Sequence, residues 1–598
     1  MNYDRVTLFL HIFKIGLPNI FSFTRQRYEH FTELTNKKTK NLQTLKKITQ
    51  SEPNICKLLF FFILLQSIKC TLHNKQIMKS FNTAGTCRPN QHYMVDITER
   101  LEIIRKMIAN GDYFCINRGR QYGKTTTLEA ISKRLSDDFC IFKTSFEGLS
   151  ESCYADEEKL YAMVANLLAD TFSWVSVDGL DEEVKNEITK FTEEHQNSCT
   201  ERELSKLIST ICYRNAKPVV LIIDEVDQAG NHPSFLKLLA LLRRMFLSRD
   251  MVPTFQSVIL AGVYDIKNLK MKMRTEGEHQ YNSPWNIAAP FDVDMSLSAD
   301  GIAGMLAEYK GDHNLSFDER FIAQMIRDYT AGYPFLVSRI CQIIDAEGLT
   351  WDKEGVLKSV NKILNEGSTL FDDIVKKLDE FPELDKTLRG VLFNGYRYPF
   401  NYYDKATNLA LMFNFVKQQD GAFAVSCRMF EIWFYNYFIS QDKKSAGFLQ
   451  GMADKNQFIK NGIIDMPHLL ERFAFHMNQT FDLDKDHKFL EENGRQIFLT
   501  YLRPIINGIG NYYIETQTRD HDRMDVVIDY LGKQYVIELK IWRGNAYNER
   551  GEEQLCRYLE YFNLQTGYLL SFCFNKTKSS GLLPAVELNG RTLIEAIV

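Results

Sequence analysis

A short stretch near residue 120 contains the residue types that bind phosphate. An apolar run is followed directly by the sequence NRGRQYGKT (117–125), after which a helix-favouring sequence begins. A strand, a loop and a helix N-terminus in this order direct free backbone N–H groups and the helix dipole at an anion. Gly123 lets the backbone approach the phosphates, Lys124 can reach the β and γ phosphates, and Thr125 can bind Mg²⁺. We therefore predict a site for ATP or GTP.

The loop departs from the usual spacing G-x-x-x-x-G-K-[ST]. That spacing requires glycine at position 118, where this chain has Arg118, and its glycine, Gly119, comes one place later. Gly119 and Thr126, the residue after Thr125, complete the predicted nucleotide-binding set. On the motif alone, a chance glycine-containing loop is the alternative.

An apolar run that ends in two carboxylates supplies the second half of this site. Residues 219–223 are followed by Asp224 and Glu225, and 100 residues separate Lys124 from Asp224. Asp224 would hold Mg²⁺ through water, and Glu225 would polarise the attacking water. The alternative is a core strand whose end meets solvent.

Groups that would assist hydrolysis are less well defined by the sequence. Arg243, Arg244 and Arg339 are candidates for an arginine finger or a second sensor, although arginines on helices are more often solvated. Asp265 lies close to the expected tip of the fourth strand. The prediction that the nucleotide is hydrolysed therefore depends mainly on Glu225.

A second set of reactive residues lies near the C-terminus, in two β-rich runs separated by a turn at Gly532. Glu538 and Lys540 are two apart, so they share one face of a strand, and Asp525 begins the preceding strand. Asp525 and Glu538 would bind Mg²⁺ or Mn²⁺, which lowers the pKa of bound water and neutralises charge on a phosphodiester. Lys540 would position the water or stabilise the transition state. This pattern predicts a nuclease, and the alternative is a chance set of charged residues, which are common at strand ends.

Flanking residues extend this second site. Glu492 would add a third carboxylate, and Gln554 and Tyr558, four apart on one helix face, would steady the metal or the nucleic acid. An ordinary amphipathic helix is the alternative for Gln554 and Tyr558. Three further residues are candidates for base stacking or phosphate contacts, with a solvated loop as the alternative: Trp542, Arg543 and Arg550.

The elements that must position these residues follow from hydrophobic patterning. Short apolar runs alternate with helical stretches in the first part of the chain, which is typical of a parallel α/β sheet. The predicted strands are 113–116, 140–143, 219–223, 258–261 and 291–293. Residues 298–380 are predicted helical with a break at 332–334, and residues 385–440 contain short helices followed by a hairpin at 419–421. From about residue 449 we expect one long helix, then strands, a helix and a strand.

Composition limits the classes of function. A chain of 598 residues is too long for one core and suggests roughly three to four domains. The net charge of −4 gives no global basic field, so nucleic acid would be bound by local patches. The 12 cysteines include no CxxC pair and favour reduced thiols in a cytoplasmic protein.

The first 77 residues differ from the rest. They are rich in Lys, Asn and Thr and contain one apolar run, LLFFFILL (58–65), which is too short for the about 20 residues that a bilayer requires, so no stable membrane association is expected. We interpret 1–77 as a poorly ordered extension, or as untranslated with a start at Met78. A native chain with an intact mass near 69.6 kDa would contradict that start.

Taken together, these motifs resemble the bacterial AAA-ATPase-like proteins that carry a C-terminal PD-(D/E)XK nuclease-superfamily domain. The stretches that carry the resemblance are NRGRQYGKTTTL (117–128), VVLIIDEVD (219–227), SPWNIAAPFDVDMS (283–296), AGYPFLVSRIC (331–341), MFEIWFYNYF (429–438), GRQIFLTYLRPIING (494–508) and DVVIDYLGKQYVIELKIWRG (525–544). Gly119 stands where that family usually has a proline in its loop. The pair Gln554 and Tyr558 also resembles the QxxxY element of RecB-type nucleases.

The resemblance implies a multidomain α/β architecture. It comprises an ASCE-type, AAA-like P-loop core, a helical lid, a winged-helix-like linker and a restriction-endonuclease-like α/β fold. The predicted divisions are an extension (1–77), the P-loop ATPase domain (78–297), the helical lid (298–384), the winged-helix-like module (385–447) and the nuclease-like domain (448–598).

Three functions remain open at this point. The first is an ATP-dependent or ATP-licensed nuclease that acts on nucleic acid, with DNA as the expected partner. The second is a signalling NTPase of the STAND type, in which ATP drives homo-oligomer assembly and the nuclease is an effector, for instance against phage. The third is a non-catalytic DNA-binding scaffold. The nature of the nucleic acid and the mode of cutting are not determined by these motifs.

Overall fold

The structure is a computed structural model. It describes residues 78–173, 177–230, 232–263, 284–393, 398–401, 404–419, 421–441, 445–480, 491–506, 510–515, 524–541, 552–553, 555–560, 562–573 and 580–598. Contacts divide the chain into Met1–Met78 and Lys79–Val598. Residues 1–77, including the apolar run 58–65, lie outside the described residues. Within the described part, no helix has the length and apolar character needed to cross a bilayer.

The first sheet is parallel throughout and has the order β1-β4-β3-β2. Its strands are β1 (Phe114–Asn117), β2 (Cys140–Ser145), β3 (Val219–Asp224) and β4 (Ser257–Gly262). β3 and β4 are buried along their whole length, as their nearly continuous apolar sequences require between two helical layers. The prediction of a parallel α/β sheet is confirmed.

The predicted fifth strand at 291–293 is wrong. Ala289 instead makes a single parallel bridge to Phe114 at the outer edge of β1. Pro290 follows immediately and has no N–H to donate to a ladder, so pairing stops there.

Helices cover both faces of this sheet. They are α1 (Thr98–Ala109), α2 (Lys124–Arg134), α3 (Glu157–Ser173), α4 (Glu182–Glu194), α5 (Glu201–Arg214) and α6 (Pro233–Leu247). One core lies beneath α1 and α2, and a second lies beneath α3 to α6. Each helix thus buries an apolar face in one of these two cores.

The chain then becomes helical, as predicted. The helices are α7 (Ala299–Asp312), α8 (Glu319–Thr330), α9 (Pro334–Ala346), α10 (Lys353–Asn365) and α11 (Thr369–Glu380). The predicted break between α8 and α9 is confirmed, and Ala331 and Gly332 have φ values of 49° and 73° there. A Cβ on Gly332 would lie 2.2 Å from the carbonyl oxygen of Leu297, so only glycine fits.

Residues 382–441 form a compact helical module with a hairpin. Its elements are α12 (Pro382–Leu392), α13 (Lys405–Met412), β5 (Val416–Gln419), β6 (Ala422–Val425) and α14 (Arg428–Gln441). β5 and β6 pair antiparallel around Gly421, whose φ is 72°, so the predicted hairpin is confirmed. We call residues 382–441 the hairpin module.

The C-terminal part begins with helices: α15 (Ala446–Asp454), α16 (Met466–Thr480) and α17 (Glu491–Ile506). The prediction of one long helix here is wrong. A short hairpin, β7 (Ile459–Lys460) and β8 (Ile463–Ile464), separates α15 from α16. Its two turn residues, Asn461 and Gly462, both have positive φ, which is the backbone of a tight two-residue hairpin turn and interrupts any helix.

A mixed sheet follows, with the order β13-β15-β12-β11-β10-β9 and β14 paired to β15. Its strands are β9 (Gly510–Glu515), β10 (Met524–Tyr530), β11 (Lys533–Ile541), β12 (Thr566–Phe572), β13 (Gly581–Leu582), β14 (Val586–Leu588) and β15 (Arg591–Ile597). β9, β10 and β11 are antiparallel, whereas β11, β12 and β15 are parallel. Residues 552–553 and 555–560 are helical and lie between β11 and β12 in the chain.

Among the described residues, one continuous hydrophobic core joins α7 and the elements that follow it. It includes residues of α7 to α10, of the hairpin module and of the C-terminal sheet. It also includes Phe81 and Tyr93 from the segment before α1. The segments predicted as lid, linker and nuclease-like domain are therefore packed as one body.

Candidate functional site

The loop after β1 has the backbone of a phosphate-binding loop. Gln121 and Gly123 have φ values of 57° and 79°, and α2 begins directly after Gly123. The Lys124 ammonium donates to the carbonyl oxygens of Arg118 (3.1 Å) and Gly119 (3.2 Å). Burial lowers the pKa of Lys124, an effect that nearby carboxylates oppose. A cation is thus held inside the loop, where a phosphate would be bound.

Thr125 and Asp224 join the two halves of the site. The Thr125 hydroxyl donates to the Asp224 carboxylate, Oγ1 to Oδ2, at 2.8 Å. Asp224 is buried at the C-terminal end of β3, and Thr125 lies in the first turn of α2. A hydroxyl and a carboxylate oxygen side by side are the oxygen donors that Mg²⁺ prefers, so these residues fit that ion.

Glu225 follows Asp224 in a strained conformation. Its φ is 52°, in the left-handed region that non-glycine residues rarely adopt, and its N–H donates to Asp224 Oδ1 at 2.9 Å. Burial raises the pKa of the Glu225 carboxyl, and Asp224 and Asp227 raise it further, while Lys124 lowers it. The side chain is therefore a stronger base than an exposed glutamate.

The hairpin module covers the first half of the phosphate loop. A Cβ on Gly119 would lie 2.8 Å from Asn414 Nδ2 and 3.0 Å from the carbonyl oxygen of Phe413. A second element, α11, also reaches the loop: the Arg120 guanidinium lies 3.4 Å from the Asp373 carboxylate, Nη1 to Oδ2. Gly119 thus provides room for the close approach of the Phe413–Asn414 segment. This contact explains why the position holds glycine.

The break between α8 and α9 covers the other side of the loop. The Tyr333 hydroxyl donates to the carbonyl oxygen of Arg120 at 2.5 Å. Its ring meets Tyr122 edge to face, with centroids 4.7 Å apart and an interplanar angle of 83°. Pro334 Cγ lies 3.8 Å from the position of a Cβ on Gly123. Tyr333 and Pro334 therefore fix the shape of the loop at two points.

The N-terminal segment also reaches the loop. The backbone N–H of Cys87 donates to the Thr126 hydroxyl at 3.2 Å. Thr126 is therefore used in a protein contact, and its predicted role in nucleotide binding stays a prediction.

The register of the β10–β11 hairpin brings the second set of residues together. Asp525 is paired directly with Glu538 across the two antiparallel strands. The turn residues Leu531 and Gly532 have φ values of 47° and 79°, which is the geometry that fixes the register of a two-residue hairpin. Residues paired in this way lie on one face of a sheet, so Asp525, Glu538 and Lys540 share a face. The Asp525 side chain itself lies outside the described part of the structure.

Glu538 and Lys540 lie in the centre of the sheet, fully buried at 0% exposure. Lys540 is paired with Ser571 on β12, whose hydroxyl donates to the Glu595 carboxylate. Charged groups are rarely buried without partners because of their desolvation cost. An acid and a base two residues apart on one buried strand are therefore placed for chemistry or for an internal ion pair.

The ATPase part of the chain matches a known family. Residues 79–269 match the family described as predicted AAA-ATPase. They form a predicted AAA-ATPase-like domain. This ATPase-like domain contains the phosphate loop, β3 and both acids at its end, whereas the β10–β11 hairpin lies beyond the matched residues.

Comparisons of whole structures give weaker similarities. A Walker-type ATPase of Pyrococcus abyssi aligns with 59% of this chain and 99% of its own, at 15% identity and a TM-score of 0.42. The ORC2 protein of Aeropyrum pernix with ADPNP and ADP aligns with 62% of this chain and 99% of its own, at 11% identity and a TM-score of 0.34. The ORC1 protein of the same organism, in complex with DNA, aligns with 58% and 94%, at 12% identity and a TM-score of 0.25. No curated protein sequence matches the chain.

Asp227 is a residue of the ATPase-like domain that the sequence prediction missed. Its carboxylate accepts a hydrogen bond from the N–H of Val263 at 2.5 Å, which ties the end of β3 to the tip of β4. A Cβ on Gly262 would lie 2.8 Å from Asp227 Oδ1, so glycine is needed there. Asp227 also contributes to the field around Lys124. The sequence could have indicated this residue, because Asp227 is the third acid in the run DEVD (224–227).

Two of the three candidate arginines, Arg339 and Arg244, form ion pairs with glutamates. Arg339 makes a bidentate contact to Glu366, with N–O distances of 2.9 and 2.6 Å. Arg244 contacts Glu201 at 2.8 Å on the surface, and Arg243 is partly buried on α6. Arg339 is thus committed to a partner within its own helical layer. Asp265 lies outside the described residues.

The structure describes only some of the flanking candidates near Asp525 and Glu538. Glu492 lies in α17, but its side chain is outside the described part, as are Gln554, Trp542, Arg543 and Arg550. Tyr558 is buried in the hydrophobic core, which favours the amphipathic-helix interpretation for this position. Among the described residues, no group of three or more His, Cys, Asp and Glu could hold a metal.

One further acid was missed because only strand register shows it. Glu515 on β9 is paired with Asp525 on the side opposite Glu538. Its backbone position places three acids, at 515, 525 and 538, on one line across three strands. Nothing in the spacing of Glu515 along the chain predicts this arrangement.

Proposed function

We propose that this chain binds and hydrolyses ATP at the phosphate loop and uses that site to control a metal-dependent nuclease in the C-terminal sheet. The contact between Thr125 and Asp224, at 2.8 Å, carries the nucleotide half. The pairing of Asp525 with Glu538, beside the buried Lys540, carries the nuclease half. The match of residues 79–269 to predicted AAA-ATPases supports the first half alone.

At the phosphate loop, each residue has a distinct role. Gly123 and the start of α2 present N–H groups to the phosphates, and Lys124 moves from the carbonyls of Arg118 and Gly119 to the β and γ phosphates. Thr125 and Asp224 would hold Mg²⁺, which would neutralise charge on the transferred phosphoryl group. Glu225 accepts a proton from the attacking water, helped by its raised pKa.

At the hairpin, Asp525 and Glu538 are the proposed metal ligands. These carboxylates would hold a divalent ion, whose chemistry would be to lower the pKa of bound water and to neutralise charge on the scissile phosphate. Lys540 stabilises the charge that develops on the phosphate in the transition state. Glu492 and Gln554 are proposed to complete the site, and DNA is the proposed substrate.

The test is a digestion assay on the full chain. Supercoiled plasmid, linear duplex, single-stranded DNA and RNA are incubated with Mg²⁺ or Mn²⁺, with and without ATP. Metal-dependent cleavage that ATP changes in rate supports the proposal. Binding of nucleic acid without cleavage under all conditions favours the scaffold function, and absence of both refutes the nuclease half.

One observation favours a second candidate, a STAND-type switch. Segments outside the ATPase-like domain cover the phosphate loop, through Asn414, Tyr333 and Asp373. A nucleotide bound under such a cover would control how these segments pack. Stoichiometric retention of nucleotide with ATP-dependent homo-oligomers would favour this candidate. Steady turnover stimulated by DNA would favour the ATP-dependent nuclease.

A further inference from the structure

A cluster of buried polar side chains lies between α8 and the β10–β11 hairpin. The Tyr329 hydroxyl, from the last turn of α8, donates to Asp529 Oδ2 on β10. Gln534 on β11 donates to Asp529 Oδ1 at 2.8 Å. All three side chains are buried, with exposures of 1% for Tyr329 and 8% for Asp529 and Gln534. The cluster is thus a specific polar contact within an otherwise apolar core.

Cations complete this cluster. The Arg428 guanidinium, at the start of α14, lies 4.3 Å from the centroid of the Tyr513 ring and 5.1 Å from that of Tyr329. Burial raises the pKa of the Asp529 carboxyl, while Tyr329, Gln534, Arg428 and Lys353 act against that rise. Buried polar networks of this kind fix geometry more than they add stability. The cluster therefore specifies how the hairpin is placed against α8.

The same segment contacts the phosphate loop four residues later. Tyr329, in the last turn of α8, donates to Asp529 in the hairpin. Tyr333, just beyond the end of α8, donates to the carbonyl oxygen of Arg120 in the loop. Between them, Gly332 has no room for a side chain, and its carbonyl accepts from the N–H of Leu297 at 2.8 Å. The segment 329–333 therefore contacts the hairpin at one end and the phosphate loop at the other.

The hairpin continues this connection to the second centre. Asp529 and Gln534 are paired across β10 and β11, as are Asp525 and Glu538 four residues further along. Four residues of a strand span about 13 Å. A hairpin paired on both edges by β9 and β12 moves as one piece over this distance.

We propose that Tyr329 and Asp529 are positioning residues that couple the phosphate loop to the β10–β11 hairpin. The proposal rests on nucleotide binding at the loop, as proposed above, but its test does not require nuclease activity. Coupling between two sites is reciprocal for binding free energies. A change at the buried cluster must therefore alter nucleotide affinity, although no residue of the cluster belongs to the loop.

The first test measures the dissociation constant of Mg²⁺–ATP for Tyr329→Phe, Asp529→Asn and the double variant of the full chain. We expect each single change to weaken ATP binding about fivefold or more. The reason is that Tyr333 would no longer be held in position to donate to the carbonyl oxygen of Arg120 in the loop. The double variant should be no weaker than the more severe single variant. Unchanged or tighter binding in both single variants would overturn the proposal.

A matched control separates coupling from loss of a buried hydrogen bond. Tyr501 on α17 donates to Asp454 on α15 at 3.0 Å and is equally buried, and neither residue belongs to the loop or to α8. Tyr501→Phe should lower the thermal unfolding temperature like Tyr329→Phe, yet leave the ATP dissociation constant unchanged. An equal weakening of ATP binding in Tyr501→Phe would show that the effect is general destabilisation and would refute the proposal.

A second test follows amide hydrogen exchange in residues 524–541. Addition of Mg²⁺–ATP to the wild-type chain should slow exchange in this hairpin, and the Tyr329→Phe variant should lose that response. A wild-type chain that binds ATP without any change in the hairpin would sink the coupling alone. A wild-type chain that does not bind ATP would instead refute the proposed nucleotide site.

Discussion

The two centres of this protein are built in opposite ways. At the phosphate loop, Gly123, Lys124 and Thr125 are consecutive, and a helix N-terminus orders them. At the hairpin, Asp525 and Glu538 are 13 positions apart and meet only through strand register. The first site is therefore visible in local sequence, and it is the part that matches a known family. The second depends on how two strands pair.

The centres also differ in how the protein holds charge. Glu225 is partly buried and Arg120 is exposed, whereas Glu538 and Lys540 are fully buried within a sheet. Removing one charged group from a buried site leaves the groups around it uncompensated, which is strongly destabilising. We therefore expect changes at the hairpin to be more severe than changes at the loop.

The largest effect is expected for Glu538→Gln. Removing the charge of a proposed metal ligand should reduce metal-dependent cleavage to background, whereas ATP binding should persist, because Glu538 belongs neither to the phosphate loop nor to the Tyr329–Asp529 cluster. Cleavage of linear and plasmid DNA and ATP titration measure the two properties. Glu587→Gln, at an exposed position of the same sheet, is the control. Unchanged cleavage in the Glu538 variant would remove this residue from the site.

The next effect is expected for Glu225→Gln. Loss of the base should lower ATP turnover roughly 10²- to 10⁴-fold while nucleotide binding persists. Because the carboxylate form is required and burial raises its pKa, wild-type turnover should fall as the pH drops through a value above that of an ordinary glutamate. Phosphate release at a series of pH values measures both. A variant that turns over at the wild-type rate would contradict the assignment.

Lys124→Ala should have a smaller effect, on binding. Loss of a charged donor to the phosphates should weaken ATP binding by about 2–3 kcal/mol. Lys133→Ala, on the exposed side of the same helix, is the matched control. Titration calorimetry with Mg²⁺–ATP distinguishes the two variants. Equal affinities would show that the loop does not clamp phosphate.

The smallest effect is expected for Gly119→Ala, which tests the cover over the loop. The added Cβ would meet Asn414 Nδ2 at 2.8 Å, so the variant should lose about 1–3 kcal/mol of stability. Gly304→Ala, on α7 with open space around it, should be neutral or stabilising. Thermal unfolding of both variants measures the difference. A Gly119 variant as stable as wild type would show that Phe413 and Asn414 do not press on the loop.

Some features could be predicted from local sequence because local forces determine them. The four strands of the first sheet follow from apolar runs, and the break at Gly332 and the turn at Gly532 follow from backbone conformations that favour glycine. Two predictions failed for equally local reasons. Pro290 ended the pairing expected at 291–293, and Asn461-Gly462 formed a turn where a helix was expected.

The sequence by itself determined the loop chemistry, the acids that end β3 and the strands of the β10–β11 hairpin, because neighbouring residues and their periodicity set these features. Only the tertiary structure decided three contacts between distant residues. Asp227 accepts a hydrogen bond from Val263 at the tip of β4, Asn414 packs against Gly119, and Tyr329 donates to Asp529, 200 residues away. Such contacts arise when distant elements pack into a common core, and no local pattern records which surfaces will meet. The proposed coupling between the phosphate loop and the β10–β11 hairpin rests on contacts of this second kind.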